Sequence, residues 1–306
     1  MAVPTLLDIA IRNGSDAVAG LIDETVKAHP EIVSGAARTI KGLNYKTRVR
    51  TGLPKGSSFR NANEGVAPKK STVINRLVET FIFEPRWECD KAVADGAEDG
   101  AEAYVAEEGE AQMEGALQDL CDQFYYGTGT GGNAKGFPGL LAALDSGMVV
   151  DAGGTTATTG SSVWAIRWGQ KNVIWVWGNN GALDLRPVRI ETLRDGSLNP
   201  YDGYVQSLLA RPGLQVGSKY SIGRIKKLTA DSGKGLTDDL ISDLLSLFPA
   251  GMKPDVLVMS RRSLKQLQQS RTATNPTGAP APFPQDAFGV PISLTDAIVD
   301  TEALTL

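Results

Sequence analysis

The chain has 306 residues, a formal net charge of −4 and 42% hydrophobic residues, so it is long enough for two modest cores or one elaborate core. Its acidity is too mild to identify a partner, and its two cysteines, Cys89 and Cys121, exclude a disulfide framework and fit a reducing compartment. No window has the apolar length of a membrane span, and the N-terminus lacks the apolar core of a signal peptide. We therefore expect the protein to be made and folded in the cytoplasm.

Residues 1–40 are predicted to form a helical, peripheral arm. Ser15 can cap a helix that ends near Pro30, and its apolar residues share one face: Val18, Leu21, Ile22 and Val26. A single amphipathic helix cannot bury its apolar face alone, so we expect it to dock on the body of the protein or on a neighbouring copy.

Residues 45–51 alternate strictly, with every base on one face, which predicts a β-strand. A loop rich in Gly, Pro, Ser and Asn follows, and residues 72–83 then form a second β-rich run. The pattern predicts a long hairpin with a polar tip. A two-stranded ribbon is only marginally stable by itself, so we expect this hairpin to project and to find partners elsewhere.

Residues 90–126 are predicted to be helical. One apolar seam opposes the acids and consists of Met113, Leu117, Leu120 and Phe124. Each glycine in this segment weakens the helix by up to about 1 kcal/mol relative to Ala, so its first half is predicted to be a loop or a bent helix. Cys121 lies on the seam and is predicted to be a small buried core residue.

The remaining chain predicts a mixed α/β region. Residues 151–162 are typical of a surface loop, and strands are predicted over 163–168, 173–177, 204–210 and 220–228, where four tryptophans fill the core of a sheet. Thr237 is predicted to cap a helix that Gly251 ends. A buried strand over 255–259, a helix through Leu264 and Leu267 and a final strand over 291–294 complete an α+β chain.

Charge reverses sign between the hairpin and the helix. Residues 38–86 contain eleven bases and three acids, whereas residues 88–122 contain twelve acids and Lys91 as the only base. Opposite potentials steer encounter and fix register, which favours contact between copies of the chain. The residues predicted to make it are Arg48, Arg50, Lys55, Arg60, Lys69 and Lys70 on the hairpin and Glu98, Glu102, Glu107 and Glu110 on the helix. Charge alone favours the alternative, two solvated faces of one globule.

The sequence contains partial matches to catalytic and cofactor-binding motifs, but the secondary structure that each motif needs is not predicted around it. Gly127, Gly129 and Gly132 match G-x-G-x-x-G by letter, but the dinucleotide fingerprint needs a strand before it and a helix after it. His29 is the only histidine, is predicted to be a surface residue and leaves no second ring for a zinc site. No catalytic, cofactor-binding or metal-binding residue is predicted. A soluble carboxylate-dependent hydrolase remains an alternative, although nothing selects one acid pair over another.

Nucleic acid is a second alternative partner for the hairpin. Its only aromatic residues are Tyr45 and Phe59, so it lacks the aromatic interleaving of proteins that bind single strands. Its bases could contact phosphates, or they could dock on the acidic helix of a neighbour. The near match in charge number favours the neighbour.

Three short sequence motifs accompany this order of predicted elements. They are Gly136-Phe137-Pro138-Gly139-Leu140, Tyr220-Ser221-Ile222-Gly223-Arg224-Ile225 and Phe288-Gly289-Val290-Pro291-Ile292. Together with the arm, the basic hairpin and the acidic helix that precede them, they resemble the major capsid proteins of tailed bacteriophages, which have the Hong Kong 97 capsid fold. The resemblance implies an N-terminal arm (1–40), an extended loop (41–88), a peripheral domain with a spine helix (89–135, completed by 296–306) and an axial domain (136–295).

The resemblance also implies a function without catalysis or a cofactor. Such proteins form icosahedral shells of hexamers and pentamers around double-stranded DNA, which they contact by non-specific proximity. A separate scaffolding protein and a portal are expected partners, and the shell is expected to assemble in the host bacterial cytoplasm and to become part of the virion. An encapsulin-like nanocompartment, with a protein cargo in place of DNA, is the alternative that shares this fold.

Overall fold

The computed structural model describes residues 5, 6, 8, 25, 27–56, 59–275 and 279–305. The helix predicted from Ser15 to Pro30, with its apolar residues from Val18 to Val26, lies almost wholly outside the described residues. Pro30 begins a short helix, α1 (Pro30–Val33), because proline suits the first turn of a helix. A short strand, β1 (Ala37–Thr39), follows.

The predicted hairpin is confirmed as a separate two-stranded antiparallel sheet. It consists of β2 (Asn44–Gly52) and β3 (Thr72–Glu79), and Arg48 pairs with Asn75 at its centre. The predicted alternation along β2 is also present, since Lys46, Arg48 and Arg50 are exposed and the residues between them are half-buried.

The acidic segment begins with a strand that the sequence did not predict, β4 (Arg86–Asp90). Asp90 then caps α2 (Lys91–Ala94), with its Oδ1 accepting from the Ala92 N–H at 2.8 Å. After a break at residues 95–100, α3 (Ala101–Tyr126) runs for 26 residues, or about 39 Å. The interruption predicted in the first half is therefore confirmed.

A mixed six-stranded sheet forms the largest layer of the rest of the chain. Its strands, in spatial order, are β14 (Asp286–Ala287), β15 (Val290–Leu294), β13 (Val256–Met259), β6 (Ser161–Ile166), β12 (Ile222–Leu228) and β5 (Val149–Asp151). Two helices pack with this sheet around one hydrophobic core, α5 (Asp238–Ser246) and α6 (Arg261–Ala273). A short helix, α4 (Leu140–Ala143), connects α3 to the sheet.

Two smaller sheets join this layer to the rest. The first contains β1, β7 (Val173–Trp177) and β11 (Pro212–Val216). In the second, β10 (Pro200–Leu209) pairs with β4 on one side and with β8 (Asp184–Leu185) and β9 (Arg189–Arg194) on the other. No described helix is both long enough and apolar enough to cross a lipid bilayer.

Two predicted boundaries were wrong. Residues 151–162 are not simply a surface loop, because the ends of this segment belong to β5 and β6 and its buried Gly160 pairs through its backbone with Glu302. The helix capped by Thr237 ends at Ser246 and not at Gly251, because the N–H groups of Leu247 and Phe248 bond three residues back and tighten the last turn.

The tryptophans fill a core, as predicted. Trp164 and Trp175 are buried, Trp168 and Trp177 are half-buried, and all four pack in one cluster with the end of α3. Phe124 stacks on Trp175 and Trp168, with ring centroids 5.1 and 5.8 Å apart. Cys121 is fully buried in the same cluster, which confirms its predicted place in the core.

We expect Gly127→Ala to destabilise the protein by about 3 kcal/mol, because Gly127 has a φ of +58° and an added Cβ would lie 2.1 Å from the Gly139 nitrogen. The matched control is Gly115→Ala within α3. A Cβ there meets nothing within 4 Å, so we expect a gain of up to about 1 kcal/mol. Urea denaturation of the unassembled protein measures both, and equal effects would contradict the steric explanation.

Candidate interaction surfaces

One face of the hairpin combines exposed cations with exposed apolar side chains. Antiparallel partners share a face of a sheet, and here the basic residues of β2 oppose apolar and amide residues of β3. Val73 and Leu77 are 49% and 52% exposed. We call this the hairpin face, and it consists of Lys46, Arg48, Arg50, Val73, Asn75 and Leu77, all of them exposed.

The four other predicted basic residues lie in the loop at the tip and are exposed. Arg60 donates from Nη1 to the Glu64 carbonyl at 3.0 Å, and Lys69 donates from Nζ to the Lys55 carbonyl at 3.1 Å. Lys55 and Lys70 complete the set. Arg60 and Lys69 thus brace the turns of the tip, while all four add positive charge beyond the hairpin face.

The base of the hairpin is fixed to the body of the protein. Val78 is buried against Ile174 and Val176 of β7. The Tyr45 hydroxyl donates to Gln215 Oε1, and Arg76 Nη1 donates to the Val216 carbonyl at 3.4 Å. The hairpin is therefore anchored at one end, and the residues of the hairpin face alternate along its strands with these anchoring residues.

The first half of α3 borders an open groove of about 720 Å³. Its opposite wall comes from β8, the segment that follows it and β10. Glu102 and Glu110 stand among small and apolar side chains of α3. We call this the acidic groove, and it is lined by Ala101, Glu102, Val105, Ala106, Gly109, Glu110, Met113, Leu185, Val188, Tyr204 and Gln206.

The structure thus brings together only two of the four predicted acids. Glu98 is exposed just before α3, Glu107 is half-buried on it, and neither lines the acidic groove. The sequence analysis also missed the apolar wall. Its signal was the run from Leu183 to Ile190, in which apolar residues recur among bases and are 37–60% exposed.

The last turn of α3 holds two buried carboxylates through adjacent tyrosines. The Tyr125 hydroxyl donates to Glu31 Oε1 at 2.5 Å, and the Tyr126 hydroxyl donates to Glu302 Oε1 at 2.8 Å. Burial first, and then the neighbouring carboxylate, raises the pKa of each tyrosine well above its ordinary value. Both hydroxyls therefore remain protonated donors across the physiological range.

The two carboxylates differ in how well they are compensated. Glu302 also accepts from Ser162 Oγ at 2.7 Å and from Arg224 Nη2 at 3.0 Å, in an ion pair whose side chains are each 2% exposed. Glu31 is equally buried, but its Oε2 has no hydrogen-bond partner among the described residues. Glu302 is thus a compensated buried charge, whereas Glu31 is not.

The prediction that His29 is a surface residue was wrong. Its side chain is only 11% exposed, and its Nε2 lies 2.9 Å from Glu114 Oε1. The reason is that the described residues before α1 lie along α3, where Gln118 Nε2 donates to the Thr25 carbonyl at 3.0 Å and the Lys27 N–H donates to Glu114 at 3.3 Å.

Comparison with known proteins assigns the chain to a protein family. The family model for major capsid protein GP7 matches residues 19–305. The chain belongs to the major capsid protein GP7 family. No curated protein matches it.

Solved capsids show the same fold as this capsid protein. The bacteriophage Epsilon15 structure is 21% identical, covers 99% of this chain and 98% of its own, and has a TM-score of 0.70. The capsid of Myoviridae phage XM1 is 12% identical over 71% of this chain and 98% of its own, with a TM-score of 0.50. An encapsulin from Synechococcus elongatus is 10% identical over 74% of this chain and 95% of its own, with a TM-score of only 0.46.

The predicted identity, fold and function are therefore confirmed. The chain is a major capsid protein of the tailed-phage type with the Hong Kong 97 capsid fold, a structural protein that assembles with itself into a shell and is part of the virion. The encapsulin alternative is less supported.

The glycine-rich turn after α3 has a structural role in this capsid protein. It follows a helix and not a strand, so the dinucleotide fingerprint fails as expected. Gln123 organises the turn, with Nε2 donating to the Asn133 and Phe137 carbonyls at 3.1 and 2.7 Å and Oε1 accepting from the Asn133 N–H at 2.6 Å.

The conspicuous acid pairs and thiols also have structural explanations. Asp238 and Asp239 lie in the first turn of α5, and Asp238 accepts two bonds from Arg271, each at 2.7 Å. Burial raises the pKa of the Cys89 thiol to about 11, and it raises the pKa of Cys121 further, so neither is a reactive thiolate. Across the described residues, no three His, Cys, Asp or Glu side chains group so as to hold a metal ion.

The contrast between the two carboxylates predicts a large loss of stability for Glu302→Gln and a small change for Glu31→Gln. Glu302→Gln leaves Arg224 buried without its counter-charge, and we expect it to lower the free energy of unfolding by about 3–5 kcal/mol. Glu31→Gln keeps an acceptor for Tyr125 and removes an uncompensated charge, so we expect a change within about 1 kcal/mol. Chemical denaturation of unassembled protein measures both. Similar losses would show that Glu31 is compensated after all.

Asp122 predicts a pH dependence of stability. Burial, with Asp119 and Glu31 nearby, raises its pKa from 3.8 to about 6, although Lys27 and His29 oppose the shift. Its protonated form is thus favoured in the fold, so its stabilising contribution is complete below pH 3.8 and is lost as the pH rises to about 6. We expect Asp122→Asn to remove this loss. A stability difference between mutant and wild type that stays constant from pH 4 to pH 7 would contradict it.

Proposed function

We propose that copies of this capsid protein join by docking the hairpin face of one copy in the acidic groove of the next. The observation that carries the proposal is the match of the two surfaces in both charge and polarity. The hairpin face presents Arg48 and Arg50 beside Val73 and Leu77, and the groove presents Glu102 and Glu110 on an apolar lining. Complementary potentials fix register, and the apolar contact adds affinity.

The two surfaces belong to different parts of one copy. The base of the hairpin packs on β7 and β11, whereas the groove lies between α3 and the β8–β10 region. Among the described residues, the side chains of Arg48 and Arg50 make no hydrogen bond or ion pair. The hairpin face is therefore available to other copies, and the acidic groove is open to them.

The strength of such contacts suits a shell. Each exposed charge pair is worth about 0.2–1 kcal/mol, so a misplaced copy can dissociate before the shell closes. Repetition over the many copies of a closed shell then makes the sum large. We infer that these contacts help to build an icosahedral shell of hexamers and pentamers around double-stranded DNA, which the protein contacts only by non-specific proximity.

We further propose the domain roles that the resemblance implies. Residues 1–40 act as the N-terminal arm, 41–88 as the extended loop, 89–135 with 296–306 as the peripheral domain and 136–295 as the axial domain. The separate hairpin sheet and the return of Glu302 to the end of α3 support this division. Pairing of β4 with β10 ties the end of the extended loop and the start of the peripheral domain to the axial domain.

Two further proposals rest on the resemblance and on the site chemistry. We propose that a separate scaffolding protein and a portal guide assembly in the cytoplasm of the bacterial host. We also propose that the protein is not an enzyme. The support for this last point is that Asp238 and Asp239, the two thiols and the glycine-rich turn have structural roles in the fold.

We expect Arg48→Glu combined with Arg50→Glu to leave the fold intact and to abolish shell formation, because the hairpin face would then repel the acidic groove. Sedimentation with electron microscopy measures assembly, and circular dichroism measures folding. A control with the same change of charge is Lys135→Glu with Lys265→Glu, two exposed bases outside the hairpin, and it should assemble normally.

A compensating variant sharpens this test. Adding Glu102→Lys and Glu110→Lys to the hairpin variant restores opposite charge across the contact, so we expect shells to return. Normal shells from the hairpin variant alone would overturn the proposed docking. Failure of the fourfold variant while the control assembles would show that the hairpin contacts a different surface.

A further inference from the structure

The turn between β14 and β15 carries an aromatic residue in an unfavourable backbone conformation. Ala287 pairs with Val290, so Phe288 and Gly289 form a two-residue turn with φ of +51° and +67°. Turns with two positive φ angles favour Asn-Gly or Asp-Gly, and a bulky side chain at positive φ is an outlier. Gly289 suits this turn, whereas Phe288 is strained in it.

Packing within one copy does not explain the phenylalanine. Phe288 is 56% exposed, although its side chain borders a cavity of about 300 Å³ with Phe248 and Pro254. The turn itself is held by Lys253, whose Nζ donates to the carbonyls of Phe288 and Gly289 at 3.0 and 2.6 Å. Those bonds reach the backbone and would form with any residue at position 288.

Two costs thus meet at one residue: strain in the backbone and exposure of an aromatic ring. Strained residues persist where a contact or a function compensates for them. The strand β14 is also at the edge of the six-stranded sheet, where no strand of the described chain pairs with its outer side. A sheet edge is a place where another chain can approach.

We propose that Phe288 is an anchor of a second contact between copies, in which its ring packs against a neighbouring copy in the shell. This rests on self-assembly and is separate from the docking of the hairpin face. A second copy is the partner because the chain builds a shell of its own copies, which brings copies against one another's surfaces. Contact energy in interfaces concentrates in a few aromatic anchors, so one ring can compensate for the strained turn.

Two substitutions separate the ring from the turn. Phe288→Asn places a favoured residue in the turn and removes the ring, so the unassembled protein becomes at least as heat-stable as wild type while the yield of shells falls by about tenfold or more. Phe288→Tyr keeps the ring and the strain, and it assembles close to wild type. Wild-type yields of shells from Phe288→Asn, or an equal loss in both variants, would overturn the anchor.

Hydroxyl-radical footprinting with mass spectrometry identifies the partner. In closed shells, oxidation of Phe288 is several-fold slower than in unassembled protein. Equal oxidation in the two states would overturn the proposed anchor. The proposed hairpin docking would still stand in that case, because shells have formed. Protection that appears only while a second protein stays bound to the shell would replace the neighbouring copy with that protein and overturn the proposal. If Arg48→Glu/Arg50→Glu loses shells while Phe288→Asn assembles normally, the hairpin docking stands and the Phe288 contact is overturned.

Discussion

The burial of two carboxylates at the end of α3 is the constraint on which the rest of this structure depends. Glu302 reaches Tyr126, Ser162 and Arg224, which belong to α3, β6 and β12. The buried charge of Glu302 depends on this ion pair and these hydrogen bonds, so the three elements must keep one relative position. The C-terminal segment thereby closes the six-stranded sheet against the helix, and the tryptophan cluster fills the space between them.

Glu31 brings the segment before β1 to the same helix end, with less compensation. Tyr125 satisfies one of its oxygens, and Trp175 Nε1 donates to its backbone carbonyl at 3.0 Å. Glu31, which precedes β1, and Glu302, near the C-terminus, therefore converge on two adjacent residues of α3. Glu302 is held by a full ion pair, whereas Glu31 is held mainly by packing and neutral donors.

Charge is used in opposite ways inside the fold and on its surface. In the interior, Arg224 and Glu302 neutralise each other within one copy, and the fold gains a fixed geometry. On the surface, the hairpin face and the acidic groove keep opposite charges apart, so that part of their attraction is left for a neighbour. This division suits a subunit that must be rigid by itself and still join many copies through weak contacts.

Periodicity and charge order in the sequence were enough to predict the hairpin and the interrupted acidic helix, and the clustering of four tryptophans predicted the core, because each depends on residues close in the chain. The capsid family came from a resemblance in the order of the elements and in three short motifs. The tertiary structure decided which acids form the groove, why His29 is partly buried and which hydrogen-bond donors reach Glu31 and Glu302. Those facts depend on residues such as Leu185 and Tyr204, or Tyr126 and Glu302, that are distant in sequence and meet only when the sheets pair. Phe288 depends on both the sequence and the tertiary structure. Its motif, Phe288-Gly289-Val290-Pro291-Ile292, is visible in the sequence, but its backbone strain and its exposure arise only from the turn between β14 and β15.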